Sequence, residues 1–457
     1  MPSVGGTPRK VASVPVDIDH SWAQWSPDST QLTFAVSRDQ DMWIEILLLN
    51  NGATRKPPLA HLPRNNFIGS INWSPDKRWL VYSRAYSTVA ANSELWVIST
   101  SDGKTNRLTD DRKRNWFPAW SPDSRELFFV SDRGGTPDLW RLMIGPDGVA
   151  TGAPQQVTVG MEMLDVALSA DGKKVAYSRG RSIANVFRVP LLANRPATWA
   201  DGTQLTFDEA ETWSIDVSRD GRLALCSDRS GNWDIWTMPA GGGDLQQLTR
   251  DPAIDCGPRW RVDGKELVFY SSRSGHREIW ILPMSGGAAR QVTNDETEKL
   301  YPSWSPDGRE IAVDGSVDKA IVSAQGTGAR SLTGEPLGTP DWSPDGMWVA
   351  FTFRQDGKPY IGRAPAAGGK AERLTKNEAV HGRWSPDGTQ IYFRGSGAQG
   401  NNIWRHSLSS GDERLVADLS GRRGGVDGVS LATDGRYLYF TWGEVQGDIW
   451  AADLLRK

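Results

Sequence analysis

Trp304-Ser305-Pro306-Asp307-Gly308 recurs unchanged at 342–346 and 384–388, and decayed copies bring the number to ten. The Asp of each copy falls at Asp28, Asp76, Asp123, Asp171, Asp220, Asp263, Asp307, Asp345, Asp387 and Asp434. Successive copies lie 38 to 49 residues apart. Self-similarity at this period means a repeat architecture, and about 40–45 residues is the length of one four-stranded propeller blade. The chemistry of the five residues agrees. Pro presets φ for a tight turn, Asp bonds its own backbone there, and Gly accepts positive φ. The segment therefore reads as the hairpin between the two innermost strands of a blade.

The third copy shows a whole blade, with strands a to d counted outward. Phe117-Pro118-Ala119-Trp120 is a short apolar approach to the turn, and Glu126-Leu127-Phe128-Phe129-Val130 follows as strand b. After the polar loop Ser131-Asp132-Arg133-Gly134-Gly135, residues Asp138-Leu139-Trp140-Arg141-Leu142-Met143 alternate with the period of a half-buried strand. Pro154-Gln155-Gln156-Val157-Thr158 reads as the outer strand d. Trp residues at the end of strand a and within strand c make up 14 of the 22 in the chain. Leu168, Val217 and Leu431 replace the first slot and Phe187 the second, so both slots ask for apolar bulk. Packing between blades explains these tryptophans better than a carbohydrate surface does.

An all-β fold follows: a single closed β-propeller of four-stranded antiparallel blades, ten in number, occupying 1–457. The expected blades are 16–61, 62–111, 112–159, 160–208, 209–251, 252–295, 296–334, 335–377, 378–418 and 419–457. The chain opens in mid-blade. Gly5-Gly6-Thr7-Pro8-Arg9-Lys10-Val11 matches the approach to strand d at Gly286-Gly287-Ala288-Ala289-Arg290-Gln291-Val292. Gly447-Asp448-Ile449-Trp450-Ala451 has the pattern of a strand c near the other terminus. Residues 1–15 are thus expected to supply the closing strand of the last blade, with Val11 and its neighbours beside Ile449 to Ala451. Closure removes sheet edges that would otherwise invite aggregation.

Composition narrows the partners. Net charge is −3, from 52 basic and 55 acidic residues, which gives no electrostatic reason to expect nucleic acid or an anionic membrane. Arg112-Lys113-Arg114 and Arg422-Arg423 read as solvated loop tips. No apolar run approaches the roughly 18 residues of a spanning helix. The N-terminus lacks a charged start followed by an apolar core, so no signal peptide is expected. Cys226 and Cys256 read as buried free thiols, with a bridge between neighbouring blades as the alternative.

The blades resemble TolB-type, WD-like propeller repeats. The match is carried by the signature turn, by Ser227-Asp228-Arg229, by Asp234-Ile235-Trp236, by Gly241-Gly242-Gly243 and by Gln247-Leu248-Thr249. The resemblance extends over essentially the whole chain and implies the propeller fold. In that family such repeats contact partner proteins of the bacterial cell envelope. They also form sensor parts of kinases and CadC-like regulators, and they cap prolyl-oligopeptidase-type hydrolases. The resemblance therefore implies a periplasmic or extracytoplasmic setting and a module of a larger bacterial protein.

Catalytic motifs are missing. There is neither a Gly-x-Ser-x-Gly elbow nor a phosphate-cradling Gly-x-x-x-x-Gly-Lys-Ser/Thr loop. The five His are scattered, so no metal site and no cofactor are expected. Arg38, Arg84, Arg133, Arg179, Arg229, Arg273, Arg354 and Arg394 recur after strand b in eight blades. A residue repeated in almost every blade reads as framework. The loops from d to the next a vary, and their last residues line one entrance of the channel. His20, Trp22, Trp116, Phe117, Asp165, Glu211, Trp213, Asp255, Tyr301, His381 and Asp427 stand there as candidate ligand- or partner-binding residues. Aromatics with scattered carboxylates at a concave mouth suit a peptide, or secondarily a small molecule or glycan. The expectation is a non-catalytic, monomeric binding or sensing propeller. The alternatives are a scaffold domain of a larger enzyme such as a hydrolase, and a carbohydrate-active enzyme with a site at the channel mouth.

Overall fold

A computed structural model describes residues 23–38, 41–49, 59–62, 67–85, 93–110, 113–295, 297–315, 319–396 and 400–454. Strands and turns make up nearly all of it, with one short 3-10 helix, Trp199–Asp201, among the described residues. The signature turns form as their chemistry requires. In one of them the Ser305 hydroxyl donates to Asp307 Oδ1 at 2.6 Å, the Arg309 amide donates to the same oxygen at 3.0 Å, and Gly308 has φ of 70°. Among the described residues no helix is long and apolar enough to cross a membrane.

The expected single ring of ten blades does not form. The chain divides into two compact units, 1–181 with 446–457, and 182–445. The first holds three four-stranded antiparallel sheets and a fourth built from Met163–Leu168 and the outer halves of two long strands, Lys174–Pro190 and Tyr437–Asp453. Apolar clusters fill the spaces between its successive sheets. Trp79, Val97, Trp120 and Phe129 form one, and Phe128, Val166 and Tyr177 another.

Among the described residues the second unit holds six sheets. Five are continuous in sequence, with innermost strands Thr212–Val217, Asp255–Trp260, Leu300–Trp304, Gly338–Trp342 and Ala379–Trp384. The sixth is assembled from both ends of the unit: Gly425–Thr433 and the first half of Tyr437–Asp453 join the second half of Lys174–Pro190 and Thr203–Gln204. Its innermost strand lies beside Thr212–Val217, with Ser214 opposite Val429, so the succession returns to its start. Apolar clusters on both sides of this sheet complete the packing. Ile215, Leu225, Ala432 and Tyr439 lie on one side, and Tyr392, Ile403, Leu431 and Phe440 on the other. Six blades therefore make up the succession of this unit. The expected blades 160–208 and 419–457 are each divided between the units, because the chain crosses within its strands, after Arg181 and again after Val445.

One further expectation changes. Cys226 and Cys256 are joined, with Cα atoms 5.0 Å apart, so they are not free thiols. Arg422 and Arg423 are exposed, as expected, and the Arg422 guanidinium also lies over the rings of Phe187 at 5.0 Å and Trp199 at 4.7 Å. The segment expected to close the last blade, together with His20 and Trp22, lies outside the described residues.

Candidate functional site

In each blade of the second unit the innermost strand pairs with strand b in a register that slips near one end, as a β-bulge. The bulge places a residue in the left-handed region in five blades: Gly257 (φ 70°), Tyr301 (43°), Thr339 (47°), His381 (56°) and Gly428 (54°). Glycine is required at two of these. A Cβ on Gly257 would approach the Tyr270 ring to 2.8 Å, and one on Gly428 would collide with the Trp213 carbonyl. Tyr301, Thr339 and His381 adopt the same conformation against the preference of side chains with bulk or β-branching. Each costs roughly 1–3 kcal/mol, and such strain concentrates at ligand clamps and active sites.

These bulges bring part of the expected set together. The Trp213 indole Nε1 donates to the Tyr301 hydroxyl at 3.1 Å, and the Tyr301 ring meets Tyr270 edge-on at 5.8 Å. Thr339 Oγ1 lies 3.3 Å from Thr352 Oγ1, which accepts from the His381 amide at 3.2 Å. Burial, reinforced by Arg394, holds the His381 imidazole well below its usual pKa, so it is neutral at pH 7. Burial raises the Asp427 carboxyl, whose Oδ1 accepts from the Gly428 amide at 2.8 Å. Asp255 is also raised by burial and is engaged by Arg273 at 2.6 Å. Glu211 receives its fixed position through its amide, which donates to Asp228 at 2.8 Å.

The remaining described candidates belong to the first unit. Trp116 donates to the Leu164 carbonyl at 3.0 Å and lies under Arg114. Phe117 has a φ of 49°, the same bulge conformation. Asp165 accepts from Val166 at 2.6 Å and is raised by burial. The recurrent arginines act as framework: Nε of Arg133, Arg229 and Arg273 each donates to the Ser two residues earlier.

Sequence reasoning missed a second layer, one residue before the signature Trp. In ring order the second unit places Asp216, Arg259, Ser303, Asp341, Arg383 and Ser430 there. Arg259 spans the channel, 3.3 Å from Asp216 and 3.0 Å from Asp341, and Arg383 reaches Asp341 at 3.3 Å. Trp260 and Trp384 amides donate to the other carboxylate oxygens at 2.8 and 2.9 Å. Burial pushes Asp341 up to about 6 and raises Asp216, while Arg259 opposes both shifts. The signal was a column of the repeat: the same slot holds Gln24, Asn72, Ala119 and Ala167 in the first unit.

This charged layer narrows the channel. On the bulge side a small cavity of about 10 Å³ is bounded by Ser214, Gly257, Arg259 and Thr339. On the side of the signature turns a cavity of about 490 Å³ opens, with Asp216, Arg259 and Asp341 beneath and Pro306, Pro344 and Pro386 at the rim. Of these two hollows the larger lies on the face opposite the one expected to bind. Among the described residues no group of His, Cys, Asp and Glu is placed to hold a metal ion.

Asp314 supplies a pH test of the bulge side. Its Oδ2 accepts from the Thr339 amide at 3.2 Å, and burial pushes its carboxyl up to about 7. Below the unfolded value of about 4 both states are protonated. Between there and about 7 the folded state holds a proton that the unfolded state has lost, so stability falls as pH rises. Asp314→Asn should therefore stabilise the protein by about 1–3 kcal/mol at about pH 8 and by almost nothing at about pH 4. Urea unfolding at the two values measures this; equal gains at both would contradict it.

Antiparallel four-stranded meanders around a channel, joined by a repeated Asp-anchored turn, define a β-propeller repeat protein. Residues 22–214, 206–334 and 302–451 each match the family model described as PD40, TolB beta propeller domain. The chain belongs to the TolB β-propeller family. Tol-Pal system protein TolB of Anaeromyxobacter dehalogenans (strain 2CP-1) is 37% identical over 230 residues, covering 50% of this chain and 39% of the relative. Uncharacterized protein Atu1656 of Agrobacterium fabrum is 30% identical over 131 residues, covering 29% of this chain and 41% of the relative. Uncharacterized peptidase YuxL of Bacillus subtilis is 28% identical over 184 residues, covering 39% and 25%. The matched part is thus less than half the length of each of these relatives. Among solved structures, a TolB-named protein of Agrobacterium tumefaciens aligns with 58% of this chain and 99% of its own, at 20% identity and a TM-score of 0.48.

Proposed function

We propose that this chain is a non-catalytic protein-binding or sensing propeller, working as a module of a larger bacterial extracytoplasmic protein. The observation that carries the reading is the strained bulge mouth of the second unit, where Tyr301, Thr339 and His381 all hold left-handed backbone. Such strain is retained where a surface must be held ready for a ligand. Trp213 and Tyr301, locked to one another, offer rigid aromatic area of the kind that anchors peptides. Family membership supports a protein partner. The Cys226–Cys256 bridge supports an oxidising compartment.

A displayed library of random peptides, selected on the purified chain, tests the reading. Trp213→Ala should weaken enriched peptides by about 1–3 kcal/mol, the range of a binding hot spot, while thermal unfolding stays near the parent value. Peptides that bind Trp213→Ala as tightly as the parent would overturn it. Trp116 and Phe117 remain proposed contacts of the first unit, to be tested in the same selection. A second reading, a scaffold domain of a larger hydrolase, is favoured by the similarity to the peptidase-named YuxL and is distinguished by the activity of the full reading frame.

A further inference from the structure

The hollow on the signature-turn side of the second unit is built differently from the bulge mouth. Its volume of about 490 Å³ lies within the roughly 300–1,000 Å³ that ligand sites occupy. Its rim is the slot two residues after the signature Trp: Arg219, Val262, Pro306, Pro344, Pro386 and Thr433, one from each blade. Most of that rim is apolar. Behind it Trp260, Trp304, Trp342 and Trp384 are each 7% exposed or less, so their faces are engaged in packing between blades. The floor is polar. Asp216, Arg259, Ser303 and Asp341 reach it, and the two carboxylates and the guanidinium keep between 11% and 14% of their side-chain surface exposed.

The repeat does not need charge at this floor. The first unit holds Gln24, Asn72, Ala119 and Ala167 in the same slot, and exchanging a whole buried ion network for apolar residues is often neutral or stabilising. Charge that faces a cavity therefore points to a ligand. The ligand's character follows from the sum. Asp216 and Asp341 are balanced by Arg259 and Arg383, so an ion entering the hollow would lose its water with no net countercharge to replace it. A hydroxyl group suits the floor instead, since it donates one hydrogen bond and accepts others. Acceptor and donor stand side by side here. Asp216 accepts from Arg259 on one oxygen and from the Trp260 amide on the other, and a carboxylate offers about four lone-pair sites. The Arg259 bonds leave from its terminal nitrogens, with N–H groups to spare. We propose that this hollow binds a neutral polyhydroxylated ligand, a short uncharged glycan, whose hydroxyls meet Asp216 and Arg259 and whose ring faces lie against the proline rim. The site is separate from the bulge mouth and does not rest on the peptide reading of it.

A panel of immobilised trisaccharides tests the class. Maltotriose, cellotriose and acetylated chitotriose are the neutral probes, trigalacturonate is the acidic one and deacetylated chitotriose the basic one. The full chain should retain at least one neutral probe in preference to both charged ones; retention of none, or preference for a charged probe, would overturn the proposal. Calorimetry with the retained probe then tests the place. Val262→Trp fills the mouth at a residue 37% exposed and should weaken binding at least about tenfold. Arg219→Trp obstructs the same mouth from an exposed position and serves if Val262→Trp lowers the thermal midpoint. Binding that survives obstruction in a folded variant would overturn the site. Arg219→Glu reverses a rim charge and should change the affinity by less than about fivefold, whereas a larger change would mean a charged ligand and overturn the neutral assignment. Trp213→Ala, at the bulge mouth, should leave glycan binding unchanged. If it abolishes that binding, the glycan sits at the other mouth and this proposal fails, whatever the peptide selection returns.

Discussion

Arg259→Ala is expected to cost the second unit about 3–5 kcal/mol at neutral pH, the range seen when one partner of a buried ion pair is removed. The side chain is 11% exposed and lies between two carboxylates, Asp216 at 3.3 Å and Asp341 at 3.0 Å. Burial already raises both, and Arg259 is the leading influence that pulls them back. Without it they rise further above their unfolded values. The parent's folded state also holds these protons from about 4 upward, so the extra loss appears only as pH climbs through the parent's own folded values, about 6 for Asp341, and reaches its full size above the variant's higher ones. Urea unfolding at about pH 4.5 and 8, followed through hydrogen exchange of Asp255–Trp260, should show the larger deficit at the higher pH. Adding Asp341→Asn should recover part of it, since neighbours in one network are not additive. A deficit independent of pH, and simply additive with Asp341→Asn, would mean that the cross-channel pairs carry no net energy.

Asp341 also shows what sequence could and could not reveal. The residue after it, Trp342, was readable because the signature turn is a local event: Ser343, Asp345 and Gly346 close it among themselves. Asp341 itself acts through Arg259 of another blade, and a partner 82 residues away leaves no local trace. The same contrast explains the ring error. Each blade is a meander of neighbouring strands, so ten turns foretold the sheets. Membership of a ring depends on Gly425–Thr433 meeting Thr212–Val217, a pairing of distant segments. Nor does the chain mark its crossings with a linker. It passes between units inside Lys174–Pro190 and Tyr437–Asp453, whose residues read as ordinary strand. Spacing alone therefore ran evenly through a boundary that contacts make plain.

The candidate mouth was legible in part for a related reason. Trp213, Tyr301 and His381 stood out as unlike residues at matching loop ends, and the structure gives them a common bulge geometry or a direct hydrogen bond. Trp116 and Asp165 stood at equivalent places in the repeat, but equivalence in a repeat does not imply one ring. Thr339 was passed over because threonine is unremarkable in composition; its left-handed φ of 47° appears only in the folded backbone.

Removal of the Cys226–Cys256 bridge should lower stability by about 3–4 kcal/mol, the loop-entropy value for a separation of 30 residues. The bond ties strand Arg222–Ser227 of one blade to the innermost strand Asp255–Trp260 of the next, so it also restrains their sliding. Both residues are buried, Cys226 completely and Cys256 with only 2% of its surface exposed. A reductant therefore has no path to the sulfurs until the blades part. Native protein should tolerate reductant with little change, while unfolding carried out in its presence should shift to the lower midpoint. Cys226→Ala with Cys256→Ala should reach that same midpoint without reductant, apart from a smaller packing loss of about 1 kcal/mol. If reductant leaves the midpoint of the parent unchanged, the two thiols are not bonded in solution and the argument for an oxidising compartment goes with them. If it shifts the parent but not the double variant, the stabilisation belongs to the covalent bond rather than to the packing of two small buried side chains.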